Sequence, residues 1–177
     1  RRRQDRRPAV NVYRLGVAGH EALAGTIARG RNMEDDRLLA ESLIKSHKER
    51  EEHSLVIDQI LRKLKPIVQK LNYDELPHIL KLKNVQHLQT PISGKLENRE
   101  TVLDILDRLH PTSAVAGTPT AQAMEIINKM EAHDRGWYSG PVGWLDENGE
   151  GEFYAALRSA LVKDEEAHVF AGGGIVG

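Results

Sequence analysis

The sequence predicts an α+β domain in which strands and helices are segregated along the chain. Helix-like and strand-like stretches occur in blocks, whereas a doubly wound sheet would require regular alternation. Near the end of the chain, Asn148-Gly149 separates two apolar stretches, as is typical of an antiparallel hairpin. With 177 residues and 40% hydrophobic side chains, the chain is long enough for one domain with a buried core.

The first predicted elements are a strand and a long helix. Residues 1–20 form a basic segment that we leave unassigned, although residues 10–15 have the alternation of a short strand. Residues 21–27 are apolar and predict a strand. Apolar side chains recur every three or four positions in residues 34–64, which predicts a single helix that Pro66 ends.

The remaining elements follow from turn residues and apolar runs. A helix beginning at Thr118-Pro119 is favoured because Thr118 can cap the helix and proline fits the first helical position. The others are a turn at 72–77, strands at 79–82 and 85–92, a helix at 100–109, strands at 137–145 and 152–161, a turn at 163–166 and a strand at 167–170.

The composition excludes several classes of protein. The chain has 25 Lys and Arg against 26 Asp and Glu, so its net charge of −1 gives no reason to expect a nucleic-acid partner. Without cysteine, disulfides and cysteine-bound metal sites are excluded. No apolar run approaches the roughly 18 residues that span a membrane, and no apolar signal segment follows the first arginines. We therefore expect a soluble, cytoplasmic protein without a membrane partner.

Two glutamates of the long helix are candidate metal ligands. Glu49 and Glu52 are three residues apart, so both carboxylates lie on one helix face. Such a pair suits a hard cation such as Mg²⁺, which takes oxygen ligands. A solvated helix face with intrahelical ion pairs would have the same pattern.

Three further features could bind an anion or act on a proton. His87 lies in a predicted strand and His110 ends a predicted helix, and either could be structural. Arg158 interrupts an apolar stretch, which indicates a fixed anion, either a carboxylated small molecule or an internal carboxylate. The glycines at 172–174 could form an anion-binding nest or a flexible turn.

Together these pieces resemble the chorismate-utilising enzymes. The resemblance covers residues 21–177, in the order found in that family. It is carried by the segments 21–26, 48–53, 85–88, 109–117, 134–140, 157–160 and 170–176.

Within the family the chain is most similar to isochorismate synthases, especially those of the menaquinone type. Ammonia-using relatives carry a threonine-containing His-Pro-x-Gly-Thr-x-x-Gly stretch, whereas here His110 leads to Ala114 and Val115. They also continue the Glu-His helix with Asp-Leu-x-Arg-Asn-Asp, which residues 56–61 lack. Both differences favour water as the nucleophile. The alternatives are salicylate synthase, an anthranilate or aminodeoxychorismate synthase component, or a non-catalytic binding fragment.

The resemblance implies the Mg²⁺-dependent, reversible isomerisation of chorismate to isochorismate, in which water attacks C2 and the C4 hydroxyl leaves. Glu52 matches a metal ligand, with Glu49 beside it. The residues that match positions in contact with substrate are Gly25, Thr26, His87, Ala114, Val115, Tyr138, Arg158, Gly172, Gly173 and Gly174. The pathway, whether menaquinone, siderophore or salicylate, and the oligomeric state are not indicated.

No catalytic acid or base is identified in this chain. The family's acid is a glutamate of a Ser-Pro-Glu segment that would precede residue 21, and its base lysine lies further upstream. A second acidic metal motif would follow the last residues. The resemblance therefore predicts that residues 21–177 are a partial, C-terminal part of a catalytic domain, inactive by itself.

Overall fold

The computed structural model describes residues 11–14, 17–97 and 100–172, which contain nine strands and five helices. The strands are β1 (Asn11–Arg14), β2 (Val17–Ala28), β3 (Val68–Tyr73), β4 (His78–Lys81), β5 (Val85–Leu96), β6 (Pro141–Leu145), β7 (Gly151–Ala155), β8 (Ala160–Lys163) and β9 (Glu166–Val169). The helices are α1 (Met33–Lys45), α2 (His47–Leu64), α3 (Val102–Leu109), α4 (Ser113–Ala116) and α5 (Thr120–Met130). The predicted α+β class is confirmed.

Seven strands form one antiparallel sheet in the order β3-β5-β2-β1-β7-β6, and β4 pairs with the first half of β5 beyond the end of β3. β8 and β9 form a separate hairpin. The long central strands β2 and β5 are paired over nearly their whole length.

The core lies between the central strands and helices α2 and α3. Alternate residues of β2 and β5 are buried, as expected for a sheet with one covered face. The covering residues of α2 recur at helical spacing, namely Val56, Ile60 and Leu64. In the part of the chain that the structure describes, no helix is both long and apolar enough to cross a bilayer.

The prediction of one helix over 34–64 is wrong, because the helical conformation is interrupted at Ser46. This residue is extended, with ψ of 116°, and it ends α1 and caps α2. Its side chain accepts a hydrogen bond from the Glu49 backbone N–H at 3.4 Å. The serine satisfies a backbone donor at the start of α2, which is the role that serine favours over a helix interior.

Other boundaries also differ from the predictions. Pro119 occupies the N-cap position of α5, so Thr118 lies one residue outside the helix and does not cap it. The predicted strand at 137–145 begins only at Pro141, since a turn precedes it in which the Gly140 N–H donates to the Trp137 carbonyl. The predicted strand at 152–161 is interrupted between Ala155 and Ala160. Strand β3 and helix α4 were not predicted.

We expect the fold to lose stability between about pH 6.5 and pH 5. Burial lowers the pKa of His20 from 6.5 to about 3. Below pH 6.5 the unfolded chain therefore binds a proton that the folded chain excludes, at a cost of about 1.4 kcal/mol per pH unit. Urea unfolding at pH 7 and pH 5 measures this loss. His20→Gln should reduce it but not abolish it, because burial also lowers the pKa values of His53, His87 and His110. An unchanged slope in that variant would contradict the assignment.

Candidate functional site

A β-bulge in β2 shapes the first part of the candidate site. Ala24 pairs with Leu88 and Thr26 pairs with His87, so Gly25 is an extra residue between them. Gly25 has φ of +80°, a conformation that glycine adopts without strain. The bulge changes the sheet face on which the Thr26 side chain lies. Ala24 and Gly25 are buried, whereas Thr26 is exposed next to His87.

Glu49 lies directly against this bulge. Its Oε2 atom accepts a hydrogen bond from the Thr26 backbone N–H at 3.1 Å. A Cβ atom at Gly25 would lie 3.2 Å from the same oxygen, so the absence of a side chain permits the close approach of helix α2. Glu49 is in the first turn of α2, where the helix dipole favours a negative charge. The carboxylate is thus fixed at one edge of the site.

His87 continues this group across the sheet. Its Nδ1 atom is 2.8 Å from the Thr26 hydroxyl. Burial lowers the pKa of His87, the positive charge of Arg158 lowers it further, and a hydrogen bond to the Gly25 backbone acts in the opposite direction. At neutral pH the imidazole is therefore uncharged and can donate or accept a hydrogen bond.

Arg158 brings a positive charge to the same place. The sequence prediction put it within a strand, but it lies in the interruption between β7 and β8 with φ of +50°. Its side chain is exposed, and within the described residues it forms no ion pair. The alternative of an internal salt bridge is therefore not supported there. A strained backbone at an exposed arginine is typical of a binding site.

A second group of side chains surrounds Tyr138. Its ring stacks on Phe170 with centroids 5.5 Å apart, and the Arg135 guanidinium lies 5.9 Å from the Tyr138 ring centre. A Cβ atom at Gly172 would lie 2.5 Å from the Tyr138 hydroxyl, so a larger residue there would displace the tyrosine ring. The backbone N–H of Phe170 donates to the Ser159 carbonyl at 2.9 Å, and this bond joins the group to the Arg158 turn.

The same group reaches helix α4, which carries Ala114 and Val115. Arg135 donates to the Val115 carbonyl at 3.1 Å and to the Glu131 carboxylate at 2.7 Å. Val115 and Tyr138 line an open cleft of about 660 Å³, whereas Ala114 is exposed. Gln59 of α2 accepts from the Ser113 N–H at 2.7 Å, which fixes α4 to the helix that carries the glutamates.

The structure thus brings together Gly25, Thr26, Glu49, His87 and Arg158, and separately Val115, Tyr138 and Gly172. The roles assigned to these residues remain predictions, and Gly173 and Gly174 lie outside the described residues. Sequence reasoning missed Phe170 and Arg135, whose contacts depend on tertiary packing. It could have found the bulge, since an isolated glycine within a strand pattern indicates one.

The two glutamates are compatible with Mg²⁺. Glu52 is half-buried one turn after Glu49, and within the described ranges its carboxylate has no hydrogen bond or ion pair. No group of three potential ligands occurs among those residues. Mg²⁺ is commonly held by one or two carboxylates, with water and substrate oxygens completing its shell. Such a donor set fits a cation that is bound together with an anionic substrate.

Comparison with known proteins identifies the family to which the chain belongs. The family model described as "Chorismate binding enzyme" matches residues 16–177, and the chain belongs to this family. The expected resemblance is confirmed.

Among individual proteins, the chain is similar to isochorismate synthases. It is 45% identical to the salicylate biosynthesis isochorismate synthase of Pseudomonas aeruginosa over 93% of this chain and 34% of that protein. The menaquinone-specific isochorismate synthase structure from Escherichia coli matches with a TM-score of 0.79 and 34% identity, over 86% of this chain and 35% of that one. Anthranilate synthase component 1 of Mycolicibacterium smegmatis is 36% identical, over 95% of this chain and 32% of that protein. The chain thus spans about a third of the length of these relatives.

Proposed function

We propose that this chain carries the substrate-binding part of an Mg²⁺-dependent isochorismate synthase. The observation that carries the proposal is the grouping of a fixed carboxylate, a neutral imidazole and an exposed guanidinium around the Gly25 bulge. Chorismate is a dicarboxylate, so it needs two positive partners to bind. Arg158 supplies one positive charge, and Glu49 and Glu52 would hold the cation that supplies the other.

Each residue has a separate task in this proposal. Arg158 binds one substrate carboxylate, and the Thr26 hydroxyl and His87 imidazole orient the ring by hydrogen bonds. The second carboxylate is assigned to the group that contains Tyr138 and the backbone at Gly172. Glu49 and Glu52 would hold Mg²⁺, which neutralises the ring carboxylate when bound. The proton transfers require an acid and a base that we do not assign to this chain.

Two apolar residues of α4 favour isochorismate synthesis over anthranilate synthesis as the reaction. Ala114 and Val115 occupy the place where ammonia-using enzymes carry a threonine-containing stretch, and Val115 lines the cleft. The side chains of Ala114 and Val115 offer no hydrogen bond to ammonia. Anthranilate synthesis is the second candidate, because a relative with that name is 36% identical.

Product analysis separates these candidates. The longest native chain that contains these residues is incubated with chorismate and Mg²⁺, with and without ammonia, and products are separated chromatographically. The isomerisation exchanges one hydroxyl group for another and keeps the molecular formula and the enolpyruvyl group, whereas formation of anthranilate or salicylate releases the enolpyruvyl group as pyruvate. Isochorismate without pyruvate supports the proposal. An aromatic product with pyruvate overturns it in favour of the alternative, and binding without turnover favours a non-catalytic domain.

Arg158→Ala should mainly weaken chorismate binding. A charge-assisted hydrogen bond is worth about 1.5–3 kcal/mol, which corresponds to a rise in KM of about 10- to 100-fold. Since the contact is present in both the ground state and the transition state, kcat should change much less. Steady-state kinetics measure both constants. Arg37→Ala is the control, because among the described residues this exposed arginine pairs only with Glu34 and Glu41 of its own helix. A fall in kcat without a change in KM would contradict this role.

A further inference from the structure

One buried carboxylate outside the proposed site is unusually well connected. Asp36 of α1 is 6% exposed. It accepts from Arg29 at 2.6 and 3.0 Å, from the Gly30 N–H at 3.0 Å, from Lys81 at 2.9 Å and from Gln86 at 3.1 Å. These donors hold the pKa of Asp36 well below its usual range, with Arg29 the largest cause. The carboxylate is therefore charged at neutral pH.

The donors come from the three strand ends that meet beside the bulge. Arg29 and Gly30 directly follow β2, Lys81 ends β4, and Gln86 lies at the start of β5 next to His87. Arg29 also donates to the Leu82 carbonyl at 2.6 Å. Gln86 donates to the Asp36 carbonyl as well, at 3.1 Å. A single residue of α1 thus connects β2, β4 and β5.

Because of the bulge, this connection is important for the pairing register of β2 and β5 beside the site. Beyond Gly25, only three residue pairs join β2 to β5, from Thr26 with His87 to Ala28 with Val85. A slip of one residue would remove the bulge and place Thr26 opposite Gln86. Because a one-residue slip moves side chains to the other sheet face, it would take Thr26 away from His87 and Glu49. Both strands are held against that slip by the same carboxylate.

We propose that Asp36 is a positioning residue that fixes the register of β2 and β5 after the bulge, and so holds Thr26 and His87 in the geometry of the candidate site. Its connection to chorismate rests on the proposed function. The effect on register does not, and it can be measured in the chain without any substrate.

Amide hydrogen exchange and NMR of the longest native chain that contains these residues, labelled with ¹⁵N, test the proposal. Asp36→Asn should accelerate exchange of the Thr26 amide by about tenfold or more and shift the His87 ring signals. Leu109→Ala is the control: this leucine is buried at 1% exposure on α3, and its truncation destabilises the core without touching the network. It should lower the melting temperature and leave the Thr26 and His87 signals unchanged.

Lys81→Met keeps the test decisive if Asp36→Asn does not fold. Lys81 is half exposed and contributes one of the donors, so its removal should shift the same signals by a smaller amount. Unchanged Thr26 exchange and His87 signals in both folded variants overturn the proposal. Equal changes in Leu109→Ala also overturn it, because they would show a general loss of stability. Failure of chorismate turnover with the NMR result intact would contradict only the proposed function.

Discussion

Glu52→Gln should reduce isochorismate formation by about 100-fold or more. The substitution replaces a charged oxygen that is proposed to bind Mg²⁺, and a metal ion contributes several kcal/mol of charge stabilisation in the transition state. Glu52 is half-buried on the helix face of Glu49, and its carboxylate has no partner among the described residues that would give it a structural task. Glutamine keeps the size of the side chain. The loss should therefore reflect the charge. The measurement is chorismate conversion as a function of Mg²⁺ concentration, with the melting temperature recorded in parallel.

Glu51→Gln is the matched control for this variant. Glu51 is the preceding residue, but it points to solvent, and its only described ion pair is with His47 at 3.7 Å. We expect its activity and Mg²⁺ dependence to equal those of the unmodified protein. If Glu52→Gln kept full activity at low Mg²⁺, the assignment of the metal ligands would be wrong.

Local patterns were sufficient to predict much of the fold. The apolar spacing of α3 and the alternation of β5 are strong because each element has one clearly buried face. The break at Ser46 was missed because the apolar spacing continues across it, and serine is tolerated within helices as well as at caps. Strand β3 was missed because its residues are mostly exposed, which leaves no alternation to detect.

Sequence reasoning proposed candidate site residues, but it did not predict how they are arranged. The spacing of Glu49 and Glu52 indicates a common helix face, and the family resemblance supplied His87 and Arg158. The sequence does not show that Arg158 lies on a turn with positive φ, or that its charge reaches His87. Those relations depend on how the separate turn between β7 and β8 packs against the central sheet, and long-range packing leaves no local pattern.

Gly25→Ala is expected to disturb the site and not only the backbone. A left-handed conformation costs an L-residue about 1–2 kcal/mol. In addition, the new Cβ would lie 3.2 Å from Glu49 Oε2 and 3.2 Å from Leu88 Cδ1, so the carboxylate must move. Its hydrogen bond to the Thr26 N–H, already 3.1 Å long, should weaken. Chorismate turnover should fall by about tenfold or more, since small displacements of positioned groups are costly.

Gly149→Ala separates the effect of backbone strain from the effect of displacing the Glu49 carboxylate. Gly149 has φ of +81°, almost the same as Gly25, but a Cβ atom there would meet nothing within 4 Å. Both variants should therefore lose a similar amount of stability through backbone strain in urea unfolding, with a further loss in Gly25→Ala. Only Gly25→Ala should accelerate exchange of the Thr26 amide and lower chorismate turnover. Equal turnover in the two variants would show that the bulge is a structural feature of β2 without a role in placing Glu49, and the proposed site would then lose the Glu49 carboxylate.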